Sequence, residues 1–253
     1  DNYGNESGIT PMAANLLPLD NANVPYFILV GYELKQEHDF DQNEDATAAI
    51  NLDGTDNAGT GMWDILVPLG SYSDPGDPST IVQTNDQHTV GGSFCAVTGN
   101  ASSSSASIGE EDVDDGHTTL TVLGYNMTEY INPVFSYWRW FTNNTGAEPN
   151  ADWWQVAISP DGGVSWVSVE NNLTSDNSWR RFAFRVKDYV SLTSTDVRLR
   201  FVASDSTNGA LSGGSLIEAA VDDIYLWDAA SSTSISDIKT DNLSQLIKIV
   251  DVL

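Results

Sequence analysis

Basic residues are scarce in this chain. Ten lysines and arginines stand against 36 aspartates and glutamates in 253 residues, a formal net charge of −26. Such a surface repels phosphate backbones and anionic headgroups, so nucleic acid and membrane insertion are not expected. Cysteine is almost missing. Cys95 stands alone, which excludes an internal disulfide and a disulfide-stapled scaffold. It follows Phe94 in an apolar run, where a buried, inert thiol is expected rather than a nucleophile. No run approaches the ~18 apolar residues that a membrane helix needs. The histidines are only His38, His88 and His117. No His-x-x-Glu, His-Glu-x-x-His, Gly-x-Ser-x-Gly or Cys/His zinc spacing occurs. A glycosidase needs only two carboxylates about 5–10 Å apart. Among so many acids that pattern has no specificity, and independent catalysis is not expected.

Helical periodicity is also missing until the tail. What the chain has instead is short alternating runs separated by Asn, Asp, Gly and Ser turns. Val24–Leu34 reads as a strand. Residues 40–62 read as a polar loop, MWDILVPLG (62–70) as a strand, SYSDPGDPST (71–80) as a turn cluster, SFCAVTG (93–99) as a strand and NASSSSAS (100–107) as a serine-rich loop. HTTLTVLG, NPVFSYWRWFT, ADWWQVAIS, VSWVSVE, RRFAFRVKDY, DVRLRFVAS and LIEAAVDDIYLWD follow, with SPDGGVSW (159–166) as a tight hairpin. This predicts an all-β fold, a jelly-roll β-sandwich with an N-terminal extension strand and a short C-terminal segment. The boundaries fall at 1–38 for the extension or the end of a preceding domain, 39–228 for the sandwich, and 229–253 for a linker and a new element. The chain begins at Asp1, which implies processing or a larger parent. Its apolar ends are expected to pack on a neighbouring domain or subunit.

Alternation assigns faces. Phe182, Phe184 and Val186, then Val197, Leu199 and Phe201, then Trp154, Val156 and Ile158 are the expected core sets. Trp138, Trp140, Trp166 and Trp179 are expected in the core as well. All six arginines fall between positions 139 and 200. Tyr137, Arg139, Trp153, Gln155, Arg181, Arg185, Arg198 and Arg200 are therefore the candidate ligand face. Aromatic planes and guanidiniums suit sugar rings and uronate or sulfate groups. The competing reading pairs these arginines with acids on neighbouring strands.

EEDVDDGHTTL (110–120) packs five acids into eight residues before a strand. Its spacing is not that of an EF-hand loop. A second pair, Asp222-Asp223, interrupts the apolar strand AAVDDIYLW, and one of the two must face inward unless the strand bulges. A jelly roll brings its first and last strands together, so the two clusters are candidates to meet. Asp112, Asp114, Asp115, Asp152, Asp222 and Asp223 are the candidate metal ligands, with Ca²⁺ as the ion. The alternative is a set of solvated or salt-bridged acids.

The series CAVTGN, IGEEDVDDGHTTL, NPVFSYWRWFTNNTGAEPNADWWQVAISPDGGVSWVSVE and SLIEAAVDDIYLWD resembles a jelly-roll accessory domain of secreted Bacteroidetes-type peptidases and surface proteins. That family is MAM-like and galactose-binding-like in architecture. GMWDILVPLG fits its upstream strand, and the resemblance covers about 39–228. The tail SISDIKTDNLSQLIKIVDVL is similar to the start of a type IX secretion sorting domain, without the Tyr-Pro-Asn-Pro opening of many such tails. The resemblance implies calcium in the jelly roll and a secreted or cell-surface location. It implies a non-catalytic binding or adhesion module with a polysaccharide or glycan as partner. The alternatives are a structural subunit of a surface assembly or filament, and an accessory domain of a secreted zinc carboxypeptidase.

Overall fold

Period-2 runs bounded by turn residues become antiparallel strands, and among the described residues helical structure is confined to single 3-10 turns. The computed structural model describes residues 32–41, 48–50, 55–106, 108–205 and 214–230. Two sheets face each other as a jelly-roll sandwich. The first runs in the order β11 (Asp176–Arg185), β8 (Val134–Thr142), β13 (Glu218–Ala229), β6 (Cys95–Thr98), β3 (Trp63–Leu66). Strand β1 (Tyr32–His38) pairs with the second half of β13, from Ile224 to Ala229, while β6 pairs with Ala220 and Val221. The second sheet runs β10 (Val167–Asn172), β9 (Trp153–Ser159), β12 (Val197–Ser204), β7 (His117–Tyr125), β2 (Ala48–Ile50). A ribbon of β4 (Ser71–Tyr72) and β5 (Ile81–Gln83) stands apart from both.

The core fills the space between the sheets. Phe135, Tyr137 and Phe141 of β8 and Val221, Ile224 and Leu226 of β13 meet Leu120 and Val122 of β7. Trp154, Val156 and Ile158 of β9 and Leu199 and Phe201 of β12 join them. Each buried apolar side chain of this size contributes about 1.5–3 kcal/mol. Edge-on ring pairs such as Tyr125–Phe135 (4.7 Å) and Tyr137–Phe201 (5.0 Å) add geometric preference. The expected core sets hold except for Phe182, which packs half-buried against the core, and Cys95 is fully buried, its thiol pushed well up by desolvation.

Strand β8 departs from simple alternation because every one of its nine residues is buried. Its outer face is covered: the Trp140 indole donates to the Val82 carbonyl at 2.8 Å, and Thr142 donates to the same oxygen. Cys95, Val97, Trp140 and Ala220 form a second, smaller apolar layer there. Trp138 is buried too, whereas Trp166 and Trp179 are half-buried.

The hairpin between β9 and β10 lies where SPDGGVSW places it. Asp161 accepts from the Ser165 amide (2.8 Å) and hydroxyl (2.6 Å), while Gly162 and Gly163 take φ of 71° and 91°. Part of the expected 40–62 loop instead forms the edge strand β2, and the turn cluster opens with β4. The expected N-terminal strand is described only from Tyr32 and continues to His38; Val24 to Gly31 lie outside the described residues. The expected C-terminal linker and start of a sorting domain lie outside them as well from residue 231 onward.

Candidate functional site

The eight candidate ligand residues do not share one face. The structure divides them among three places, which corrects the single-face expectation. Tyr137 and Arg139 point inward from β8, Arg139 only 1% exposed. Its guanidinium lies 4.2 Å from the Phe182 ring centroid and 5.6 Å from that of Trp154. It reaches Glu170 at 3.3 Å and Asp176 at 3.7 Å, and the Tyr137 hydroxyl also donates to Glu170. This is a buried charge network joining the β10 and β11 edges. Because both faces of β8 are covered, alternation in its sequence carried no sign of which side was inner. Arg181 and Arg185 lie on the outward side of the first sheet, Arg181 largely buried and Arg185 bound to Asp188 at 2.8 Å.

The outer face of the second sheet keeps the other four. Trp153 and Gln155 project from β9 opposite Ser204 and Val202 of β12. With Arg200, Val202, Ser204, Thr55, His117 and Thr119 they line a groove of about 370 Å³. The Arg200 guanidinium stacks 4.4 Å from the Trp166 ring centroid. Arg198 sits at the end of this face, its fork held by Asp196 at 3.0 and 3.2 Å. Asp56, behind the groove, accepts from the Thr119 hydroxyl at 2.8 Å and lies 3.6 Å from His117. Thr55 bonds the His117 ring at 3.2 Å. Parity along HTTL and RFVAS marks His117, Thr119, Val202 and Ser204 as outward-facing, so this signal was in the sequence. Thr55 comes from a loop that offers no such signal.

The acids form two clusters, and the clusters do not share partners. Asp222 and Asp223 sit at a bulge of β13, with Asp223 at φ 48°. The bulge lets both carboxylates reach the segment that lies over the outer face, where a regular strand would turn one into the core. Asp222 accepts from the His88 amide at 2.7 Å and the Thr89 amide at 3.2 Å. Asp223 binds His88 Nδ1 at 2.6 Å and accepts from the Thr89 hydroxyl and the Tyr225 hydroxyl, each at 2.8 Å. His88 itself stacks on Trp138 at 3.7 Å. Desolvation and the neighbouring Asp223 raise the Asp222 pKa well above the carboxylate range, against the pull of those amides.

Asp112 behaves differently. It is 1% exposed, and neither carboxylate oxygen has a hydrogen-bond partner. Desolvation and Asp114 push its pKa up to about 7; the amides of Asp112 and Ile217 pull the other way without reaching hydrogen-bond geometry. Glu218, at the start of β13, is also buried, with Oε2 lacking a hydrogen-bond partner, and is raised by desolvation and then by Asp112. Asp205, after β12, is raised to about 6 by desolvation and then by Asp152, with Asp114 and Asp115 adding to it. The loop before β7 thus gathers Asp112, Asp114 and Asp115 with Asp152, Asp205 and Glu218. Asp205 and Glu218 were not among the candidates. Among the described residues, no three acidic, histidine or cysteine side chains converge on one point that would hold an ion.

No family model and no curated protein matches the chain. Solved structures do. A family 61 carbohydrate-binding module, TmCBM61, in complex with β-1,4-galactotriose is 14% identical over 71% of this chain and 99% of its own, at a TM-score of 0.35. The xylan-binding CBM22-1 domain of Paenibacillus barcinonensis Xyn10C is 9% identical over 79% and 97%, at 0.38. Caldicellulosiruptor saccharolyticus CBM27-1 with mannohexaose is 8% identical over 78% and 98%, at 0.40. A Stig cyclase from Fischerella sp. TAU matches over 76% and 95% at 0.36. These likenesses concern the sandwich outline alone.

Proposed function

We propose that this chain is a non-catalytic, extracellular carbohydrate-binding module, calcium-stabilised and carried on a larger secreted or surface-displayed protein. The observation that carries the glycan reading is the groove on the second sheet. Trp153 supplies an aromatic plane, and Gln155, Thr55 and Ser204 line the groove beside it with polar groups of the kind that bind ring hydroxyls. Its volume accommodates about one or two sugar rings. The described lining has no carboxylate, whereas cleaving a glycosidic bond by the usual route takes two. Holding a chain, and so keeping an attached catalytic domain near its polymer, is the action this supports.

Calcium is supported by the Asp112–Glu218 pair. Two buried carboxylates with orphaned oxygens suit a hard divalent cation in charge and in ligand type. Asp112 and Glu218 would hold it, with main-chain oxygens or water completing the shell. The acidic surface and the resemblance to secreted jelly rolls support the extracellular location, and no helix among the described residues is long and apolar enough to cross a membrane.

Affinity electrophoresis of the chain in gels cast with soluble polysaccharides tests the glycan reading. At least one polymer is expected to retard the wild type and not Trp153→Ala. Equal mobility in every gel, with acidic, neutral and amino-sugar polymers all tried, would refute it.

A further inference from the structure

The acidic loop and the groove are two ends of one hydrogen-bonded unit. We infer that calcium held by Asp112 and Glu218 organises the sugar-binding groove, so that cation and glycan bind with positive coupling; this rests on the glycan and calcium readings above. The link is the main chain that runs from Asp112 to the groove residue His117.

Three sets of bonds tie this segment to its surroundings. The first runs along residues 55–60, which bring Thr55 to the groove and Asp56 behind it. The Thr60 hydroxyl donates to the Asp112 carbonyl at 2.8 Å, and the Gly59 amide donates to the Asp114 carbonyl at 2.8 Å. The Asn57 and Ala58 amides donate to the His117 carbonyl at 3.1 and 3.2 Å, and the His117 amide donates to Asn57 Oδ1 at 3.1 Å. The second set joins the end of β12. The Asp115 amide donates to the Asp205 carboxylate at 3.3 Å and the Asp205 amide to the Gly116 carbonyl at 2.8 Å, next to the lining residue Ser204. The third is the Val113 amide, which donates at 3.0 Å to the Ile217 carbonyl, one residue before Glu218.

These lengths of chain also pack too closely to slide independently. A β-carbon on Gly61 would come within 2.4 Å of the Val113 nitrogen, and one on Gly116 within 2.5 Å of Asn57 Oδ1. Close-packed chain transmits a shift instead of absorbing it. The source of the shift is at the other end. Asp112 is 1% exposed with both carboxylate oxygens unpaired by hydrogen bonds, and Glu218 adds a third such oxygen. Without a cation these groups repel as charges or must hold a proton. With one they draw together, and the bonds above then fix Thr55, His117 and Ser204. A sugar chain that needs this arrangement binds more tightly with calcium, and by linkage calcium binds more tightly with the sugar chain.

The test combines hydrogen exchange by mass spectrometry with the affinity gels, on the full chain, in calcium and in chelator. Calcium alone is expected to slow exchange in residues 55–60, 115–119 and 203–205 as well as in 109–113 and 216–219, and to leave β11 unchanged. In a gel whose polysaccharide retards the wild type, the apparent Kd is expected to rise about five-fold or more in chelator. Glu218→Gln, which lies outside the groove, is expected to give the weak value in both conditions; the wild-type comparison carries the test if this variant does not fold. An unfolding midpoint that rises with calcium while groove exchange and retardation stay constant overturns the coupling and leaves both readings standing. A midpoint and an exchange pattern indifferent to calcium, with retardation persisting in chelator, overturn the coupling and the calcium reading but not the glycan reading. No retardation by any polymer in calcium removes the glycan reading and the coupling together.

Discussion

Strand β13 carries two buried acidic sites only four residues apart, and they are solved in opposite ways. At Asp222 and Asp223 the strand bulges, and the carboxylates take up the amides of His88 and Thr89, the Thr89 hydroxyl, the His88 ring and the Tyr225 hydroxyl. At Glu218, with Asp112 beside it, three carboxylate oxygens have no hydrogen-bond partner. Both sites are equally hidden from water. Burial by itself therefore does not call for a metal. The distinguishing quantity is whether protein donors already satisfy the carboxylates, since an unmet buried charge is what costs the most.

That contrast can be broken by experiment, beginning with the largest effect. Asp222→Ala removes the acceptor for the amides of His88, Thr89 and Asp223. It is expected to destabilise the fold by about 3 kcal/mol or more in chemical denaturation at constant slope. The loss should be the same with calcium and with chelator. A calcium-dependent loss would mean that this cluster also holds an ion.

Next comes metal removal. An ion bound only by the folded chain, at a concentration about 100 times its Kd, adds about 2.7 kcal/mol. Calorimetric scans should therefore show the midpoint dropping by several degrees on chelation, and Glu218→Gln should show no response to calcium. A wild-type midpoint indifferent to chelator would leave the pair to hold a proton instead.

The pH dependence is expected to be smaller and has a definite sign. Asp112 and Asp205 titrate near about 7 and about 6 in the folded chain, above their ordinary value near 3.8. The folded state thus favours their protonated forms. Their contribution is fully present below the unfolded value and lost as pH rises through the folded ones. In chelator, the midpoint should fall between about pH 4 and pH 7 and level off above that, and saturating calcium should flatten the fall. A chelated midpoint rising over this interval would contradict the buried, uncompensated state of Asp112. The smallest effect is Tyr225→Phe, which removes one donor from the satisfied cluster. A loss of about 1 kcal/mol, unaffected by calcium, is expected in the same denaturation assay.

The two sheets differ in how much of them could be read beforehand. On the second sheet, the first halves of β9 and β12 alternate between buried residues and half-buried outer ones, because there one face is core and the other partly exposed. WWQVAIS and VRLRFVAS accordingly revealed both Trp154, Val156 and Ile158 inside and Trp153, Gln155 and Arg200 outside. On the first sheet, the covering ribbon buries the outer face of β8. VFSYWRWFT then reads as apolar on both sides, and Arg139 looked like a surface arginine when it is a core one. Among the acids, Asp112 was visible in its run, while Glu218 looked like one more charge at a strand end.

The sequence by itself determined the all-β sandwich, the hairpin at Asp161 and the core residues of the strands open on one side, because these follow from local turn chemistry and period-2 alternation. Only the tertiary structure decided which arginine meets which carboxylate, that His88 and Thr89 complete Asp222 and Asp223, and that Glu218 lies by Asp112. Those contacts join positions far apart in the chain, such as 88 with 222 and 112 with 218. They depend on a segment laid over a sheet face and on one bulge in β13, and local pattern is silent about both.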